Sequence, residues 1–442
     1  ESYQDIRDML FSIVRCSHGS LNNHGYFALV LPRITCSGED AEWTLAADIT
    51  LFAEKHVSKE LKGGYFQPDK ILEETKRAIP DIDTRLGSFE QANLGFFYLD
   101  CFVLGDDEDQ RLLLLFQKNV ADETLIPCPR CRSHMVQGNS YSSIGVRSWE
   151  CKNPLCPERS KFDRGKRYSF LQLLKQESIR DPENHVPRES VKAWIRDVQP
   201  SKPLSDVLDM LLRHYTLNGD SVVLYNWPDP VEYRIGRRLV HLPLDPSSPD
   251  EGGTDLQGRV SEAFFDSPLF HRYIAGPRKH HKQRVESTSV GGVLALLGDS
   301  STALSSIDDC SVDGAVTSPP YYNAREYSQW PNIYAYLHDM LQVSRQVHRV
   351  LKGGSYYLYN IFDYFDNERT VSFSAMGEKR MILSAYTVDL FRRVGLRCVG
   401  NIVWDKGDIE GKRGFNNGNY SPFYQAPFNC WEHILVFRKE GF

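Results

Sequence analysis

The chain has no apolar run approaching the roughly 20 residues that a membrane-spanning helix needs. Its longest runs, such as residues 112–116 and 292–297, are far shorter. No charged-then-apolar leader opens it. There is no excess of positive charge either, since the net charge is −6. A surface for nucleic acid would therefore have to be a local patch rather than a property of the whole molecule. Without secretory features, the ten cysteines are read as metal ligands or core fillers in a reducing compartment rather than as disulfides. What is left by these exclusions is a globular chain without membrane spans. Its 442 residues, 41% hydrophobic and 25% charged, give room for two or three domains.

Four cysteines are spaced to a purpose. Cys128 and Cys131 form C-P-R-C, nineteen residues follow, and Cys151 and Cys156 form C-K-N-P-L-C. Two such pairs on tight turns can close a tetrahedron of thiolates about Zn²⁺, and four protein ligands leave no open position for a reacting water. The expectation is a structural zinc ribbon, with His134 close by but not needed as a ligand. The other six, Cys16, Cys36, Cys101, Cys310, Cys398 and Cys430, are scattered and suit small core positions. Directly after the ribbon, RSKFDRGKR at residues 159–167 sets five basic residues against one acidic. Arg164, Lys166 and Arg167 of this run are expected DNA contacts. RKHHKQR at residues 278–284 is a second basic patch.

Four regions are expected along the chain. Residues 1–125 read as an α+β domain with strands at 26–31, 96–104 and 112–116, a helix near 68–79, and no catalytic constellation. Residues 126–170 are the zinc-ribbon-like module. Residues 171–290 read as a helical connector to about 215, followed by an irregular, strand-poor linker rich in Pro, Gly and charge, such as DPSSPDEGGTD at 245–255. From 291 to 442 the pattern becomes regular. Strands at 293–297, 312–316, 355–361, 398–404 and 433–437 alternate with helices at 300–307, 331–351 and 385–394. Lys352-Gly353-Gly354 stops the second helix and Gly395 the third. Such alternation means βαβ units and an open α/β sheet, whose ligands bind at the carboxyl ends of the strands.

One strand ends in an unusual way. In AVTSPPYYNAREYSQW, residues 315–330, two consecutive prolines exclude both a helix interior and a central strand, so a stiff turn must follow the strand at 312–316. A rigid Ser-Pro-Pro turn can present the Ser318 hydroxyl and the Pro319 carbonyl together, with the Tyr321 ring as a stacking face. Chemistry on the exocyclic amine of a base requires that combination. The amine's lone pair is delocalised into the ring, and acceptors on its two N–H groups draw the nitrogen toward a tetrahedral geometry without any covalent nucleophile.

Residues 293–442 resemble the beta class of DNA amino-methyltransferases. The resemblance is carried by LLGDS at residues 296–300, SVDGAVTSPPYYNAREYS at 311–328, VLKGGS at 350–355, WDKG at 404–407 and WEHILVFRK at 431–439. It implies a partial Rossmann-like methyltransferase sheet, S-adenosyl-L-methionine as cofactor, and double-stranded DNA with base flipping as substrate. Ser318, Pro319, Pro320 and Tyr321 would form the catalytic turn, with Asp299 and Thr317 near the cofactor. Arg325 and Tyr327 would contact the substrate strand, and Arg413, Asn416 and Asn417 could also touch DNA. The serine form of the motif goes mostly with cytosine N4. Adenine N6, an RNA amino group, and a DNA-binding module with an inactive methyltransferase fold are the alternatives. The resemblance also suggests a prokaryotic or phage restriction or defence system, with its cognate proteins as partners and a cytoplasmic location. Pro127-Cys128 is unlike a C5-methyltransferase nucleophile, because Cys128 is half of a C-x2-C pair.

The family's Asp-Pro-Phe-x-Gly-x-Gly-Thr cofactor loop is not found in the sequence. Asp245-Pro246 with Gly252-Gly253-Thr254 has the wrong spacing and the wrong place in the order. With Glu1 in place of Met, the expectation is a piece of a longer protein whose loop lies beyond Phe442, inactive as it stands.

Overall fold

Ser2 opens the first helix. Its side chain accepts from the Asp5 backbone N–H while the Asp5 carboxylate accepts from the Ser2 N–H at 3.1 Å, a reciprocal capping box. The structure is a computed structural model describing residues 2–36, 39–53, 96–106, 109–118, 127–142, 145–160, 165, 167–169, 181–228, 231–243, 285–322, 328, 330, 333–363, 382–407, 420, 422 and 429–441. The expected helix at 68–79, the segment at 245–255 and the basic patch at 278–284 lie outside the described residues.

Helix α1 (Tyr3–Ser20) turns its Leu10, Phe11 and Val14 face inward. Strand β1 (Tyr26–Pro32), the small hairpin of β2 (Thr35–Cys36) and β3 (Glu39–Asp40), and helix α2 (Glu42–Ala53) follow. Then come β4 (Phe96–Leu104) and β5 (Arg111–Lys118), antiparallel to each other and in the order β1-β5-β4. Every residue of β4 is buried, which explains its unbroken FFYLDCFVL run: both faces of the strand are covered. Phe96, Tyr98 and Cys101 face the cluster with α1 and α2, whereas Phe97, Leu99 and Phe102 face the other side. A register shift between Tyr98 and Asp100 accounts for the break in the period of two.

The cysteine module contributes β6 (Val136–Ser142), β7 (Gly145–Cys151) and β8 (Arg167–Ser169), an antiparallel ribbon. Helix α3 (Arg188–Ala193), strand β9 (Val198–Gln199), which extends the first sheet beside β4, and helix α4 (Leu204–Tyr215) come next. Residues 216–243 differ from the irregular linker expected of them. They form β10 (Ser221–Tyr225), β11 (Tyr233–Arg234) and β12 (Arg237–Leu242), a three-stranded sheet whose Leu224 and Leu239 pack on Leu208 and Leu212 of α4. The strands are only two to six residues long, and the sheet turns at Ile235 and Gly236, both at positive φ, so alternation in the sequence is too brief to register.

The remaining elements are β13 (Glu286–Val290), β14 (Val293–Leu297), α5 (Ser300–Ala303), β15 (Val312–Thr317), α6 (Ile333–Val350), β16 (Leu351–Ile361), α7 (Leu383–Arg392), β17 (Leu396–Asp405) and β18 (Trp431–Lys439). The main sheet runs β15-β16-β18-β17. Strands β15 and β16 are parallel and joined through α6, a βαβ unit, while β18 runs antiparallel to both β16 and β17. This is the α/β sheet expected of the region, with two differences. Strand β14 pairs with β13 as a separate hairpin rather than with the main sheet. The Lys352-Gly353-Gly354 stretch lies inside β16 instead of forming a loop. Gly354, at φ +80°, lets the strand bulge there, so that Val312 faces Leu351 but Gly314 faces Tyr356.

One continuous core joins the two halves of the chain. Phe11, Trp43 and Leu114 belong to the same buried cluster as Leu341, Tyr359, Phe391 and Phe437. At its edge the Asp48 carboxylate, 2% exposed, takes the Arg392 guanidinium at 2.8 Å and the Tyr3 hydroxyl at 2.7 Å. The Trp43 ring meets Trp431 and His433 edge-on, so α2 braces the start of β18. Among the described residues no helix is long and apolar enough to cross a membrane.

Candidate active site

Three strand ends meet beside the Ser-Pro-Pro turn. The carboxyl ends of parallel β15 and β16 point the same way, and β18, running opposite, begins there. Thr317 pairs with Tyr359, and Ile361 with His433, so Ser318, Asn360 and Glu432 come from sequence-distant segments to one edge. Ser318 is exposed, Pro319 half-buried, Pro320 exposed and Tyr321 half-buried, while Tyr322 behind them is buried. The Tyr322 ring packs near Tyr336, and Trp330 meets Tyr336 edge-on while donating from its indole to Asp339 at 2.8 Å.

The polar groups form a connected set, in which Ser318 Oγ and Tyr321 Oη stand 3.4 Å apart. Ser318 Oγ lies 3.1 Å from Asn360 Oδ1, and Tyr321 Oη lies 3.0 Å from the same oxygen and 2.8 Å from Glu432 Oε2. Asn360 Nδ2 donates to Glu432 Oε2 at 3.0 Å and to the His433 carbonyl at 2.9 Å. Lys406 Nζ, 3.3 Å from the centre of the Trp404 ring, pairs with Glu432 Oε1 at 2.9 Å. A second layer fixes the chain after β16. Ser384 donates from its N–H and its hydroxyl to the buried Asp363 carboxylate, His433 Nε2 stands 3.4 Å from that carboxylate, and Asn429 donates to the Asp363 carbonyl. Burial alone would raise the Asp363 carboxyl, yet His433 and Ser384 hold it below its ordinary value.

The other expected site residues separate into three groups. Thr317 ends β15, next to Ser318. Asp299 caps α5, its carboxylate accepting from the backbone N–H groups of Ser301 and Thr302. Arg325, Tyr327, Arg164, Lys166, Arg413, Asn416 and Asn417 lie outside the described residues, and Arg167 is placed by its backbone alone, in register with Glu150. Asn360, Glu432 and Lys406 were not singled out from the sequence. The last two sit inside the WEHILVFRK and WDKG stretches, where an acid and a base flank apolar strands.

The four expected zinc ligands come together. Cys128, Cys131, Cys151 and Cys156 place their sulfurs within 4.8 Å of one another, with Cys128 to Cys156 at 4.0 Å and Cys131 to Cys151 at 3.6 Å. A tetrahedron with Zn–S bonds of about 2.3 Å has edges of about 3.8 Å, so the donor set fits the ion. Arg132 N–H closes the first turn onto the Cys128 carbonyl, and Cys156 N–H closes the second onto Asn153. Burial pushes the Cys151 thiol up to about 12, while the Ser133 backbone N–H helps hold Cys131 down to about 6. Gly165, within the basic segment, lies so close that a Cβ there would stand 1.7 Å from the Cys151 carbonyl oxygen, which ties that segment to the cysteine module.

The chain is 33% identical to the type II beta methyltransferase M.BslI of Bacillus sp. (strain NEB-606) over an alignment of 507 positions, covering 98% of this chain and 55% of the relative. The chain is a relative of the beta-class DNA methyltransferases. It spans about half the length of the curated protein it matches. No protein-family model matches it. Among solved structures, TTHA0409 of Thermus thermophilus, assigned as a DNA modification methylase, overlaps at a TM-score of 0.25 with 25% identity, over 33% of this chain and 53% of that one. PvuII DNA methyltransferase (cytosine-N4-specific) overlaps at 0.25 with 19% identity, over 32% and 48%. Overlaps of that size decide nothing about the site.

Proposed function

We propose that this protein methylates the exocyclic amine of a base flipped out of double-stranded DNA, at N4 of cytosine. The observation that carries the reading is the exposed Ser318 hydroxyl at the end of β15, backed by Asn360 and Glu432. S-adenosyl-L-methionine, when bound, supplies an electrophilic methyl group. Among the described residues no glycine cradle follows a parallel strand, and Asp299 is engaged as a helix cap. Ser318 Oγ accepts one amine N–H and the Pro319 carbonyl the other, which draws the nitrogen lone pair out of conjugation with the ring; as nitrogen gained the methyl group and the cofactor's C–S bond broke, the surplus amine proton would leave to water. Tyr321, tethered through its hydroxyl, lies beside the base.

The cysteine module is proposed to hold one structural Zn²⁺ and, with Arg164, Lys166 and Arg167, to contact DNA phosphates. Arg325 and Tyr327 are proposed contacts to the substrate strand. A cytoplasmic restriction or defence system with cognate proteins as partners suits this reading. The test uses the full-length protein with methyl-tritiated S-adenosyl-L-methionine, offered unmodified bacterial DNA or RNA. Label in DNA that is lost on Ser318→Ala is expected. Label in RNA alone, or none despite cofactor binding, contradicts the reading.

A further inference from the structure

The arrangement behind Ser318 does more than support the turn: it selects where the serine's only proton points. Asn360 Nδ2 has both hydrogens spent, on Glu432 Oε2 at 3.0 Å and on the His433 carbonyl at 2.9 Å. Neither partner can donate, because one is a carboxylate and the other a main-chain carbonyl. Turning the amide over would set its oxygen against both, so the orientation is fixed, and Asn360 Oδ1 faces Ser318 and Tyr321 purely as an acceptor.

Two hydroxyls compete for that oxygen. Tyr321 Oη is 3.0 Å from it but 2.8 Å from Glu432 Oε2, a charged and stronger acceptor. The phenol has one proton, and it goes to the carboxylate. Ser318 Oγ has two acceptors within reach, Asn360 Oδ1 at 3.1 Å and Tyr321 Oη at 3.4 Å, and gives its proton to the nearer and stronger one, the amide oxygen. With its proton directed inward, the exposed Ser318 oxygen is left to accept from a partner on the open side of the turn. A serine free to rotate would spend part of its time presenting O–H to an incoming N–H, donor against donor. Lys406 completes the set by pairing with Glu432 Oε1, which fixes the carboxylate that fixes the amide.

We propose that Asn360 and Glu432 are positioning residues that hold the Ser318 hydroxyl as an acceptor for the target amine, with Lys406 orienting Glu432. The proposal rests on the reading of Ser318 as the amine acceptor, and its test separates the two. The full-length protein, its Asn360→Ala, Ser318→Ala and doubly substituted variants are assayed for methyl transfer to unmodified bacterial DNA. Folding is checked by circular dichroism, and kcat and KM for DNA are measured separately.

The expected result is a kcat about 30-fold lower for Asn360→Ala with KM for DNA within about threefold, and no further loss when the same change is made on top of Ser318→Ala. Asn360→Asp gives a second readout. The carboxyl group introduced by that change would face Glu432 of β18, backed by Lys406, together with Ser318, Tyr321 and the His433 carbonyl. Only when protonated toward Glu432 would it restore the donation to that carboxylate, leaving the His433 carbonyl without its donor, so the activity of Asn360→Asp should recover in part as the pH is lowered, unlike that of Asn360→Ala. Equal losses in both serine backgrounds, with no such recovery, overturn the proposal while leaving Ser318 in place. A harmless Ser318→Ala instead overturns the underlying reading. Should Asn360→Ala fail to fold, Glu432→Gln is subjected to the same cycle, and additivity with Ser318→Ala overturns the proposal equally.

Discussion

Tyr321 Oη lies 2.8 Å from a carboxylate oxygen of Glu432, a residue 111 positions further along the chain. That contact ties the end of the Ser-Pro-Pro turn to the start of β18 and makes the turn part of the sheet rather than a loop hanging from it. A turn stiffened by two prolines and anchored at its tyrosine can hold an acceptor still, which is the requirement of amine chemistry.

Removing that acceptor should be costly in the transition state alone. Ser318→Ala is expected to lower kcat by the equivalent of about 2 to 4 kcal/mol, the range for deleting one positioned hydrogen-bonding group. DNA affinity, measured by fluorescence anisotropy, should change little. Near-normal turnover would remove Ser318 from the reaction.

The cysteine module should be a zinc protein in its own right. About one Zn²⁺ per chain is expected by elemental analysis. Cys151→Ser should lose the ion, and with it most of a binding free energy on the order of 10 kcal/mol that also folds the ribbon. Folded, zinc-free protein would contradict the assignment.

Acid should weaken the fold through His214. Burial, helped by Arg213, pushes this imidazole from 6.5 down to about 4. The unfolded chain therefore takes up a proton near pH 6.5 that the folded chain refuses until about pH 4. Stability from this group is complete above pH 6.5 and is lost as the pH falls toward 4. At roughly 1.4 kcal/mol per unit the loss is about 3 kcal/mol. Urea unfolding at pH 7.5 and 4.5 measures it, and His214→Gln should flatten that part of the profile. An unchanged profile in the variant would rule His214 out as the cause.

The union of the two halves should depend on a buried charge. Arg392→Ala leaves the Asp48 carboxylate buried with only Tyr3 among the partners described above, an expected loss of about 3 kcal/mol. Replacing both charges, Asp48→Asn with Arg392→Leu, should cost less than Arg392→Ala alone. Thermal unfolding of the three proteins decides it.

Much of the region from residue 291 onward was legible because its signals are local. The strands at 312–316 and 398–404 and the helices around α6 and α7 follow from period and from Gly395, and the two prolines mark the turn. The four cysteines were legible from spacing alone. What escaped depends on tertiary contact. Every residue of helix α2 except the half-buried Thr44 is buried, so it shows no amphipathic stripe, and the β10 to β12 sheet is built from strands of only two to six residues. Lys352-Gly353-Gly354 does follow directly on the end of α6 at Val350, but β16 already begins at Leu351 and takes these residues in as a bulge between its Leu351 and Tyr356 pairings with β15. Asn360 gave no signal at all, since one amide at a strand end acquires meaning only when β15 and β18 bring Ser318, Tyr321 and Glu432 to it.

The most direct test of the account is nucleoside mass spectrometry of DNA from cells expressing the full-length gene, beside cells expressing its Ser318→Ala variant. The account predicts N4-methylcytosine with the unaltered gene and its loss in the variant. N6-methyladenine in its place, or no methylated base despite folded, cofactor-binding protein, would contradict it.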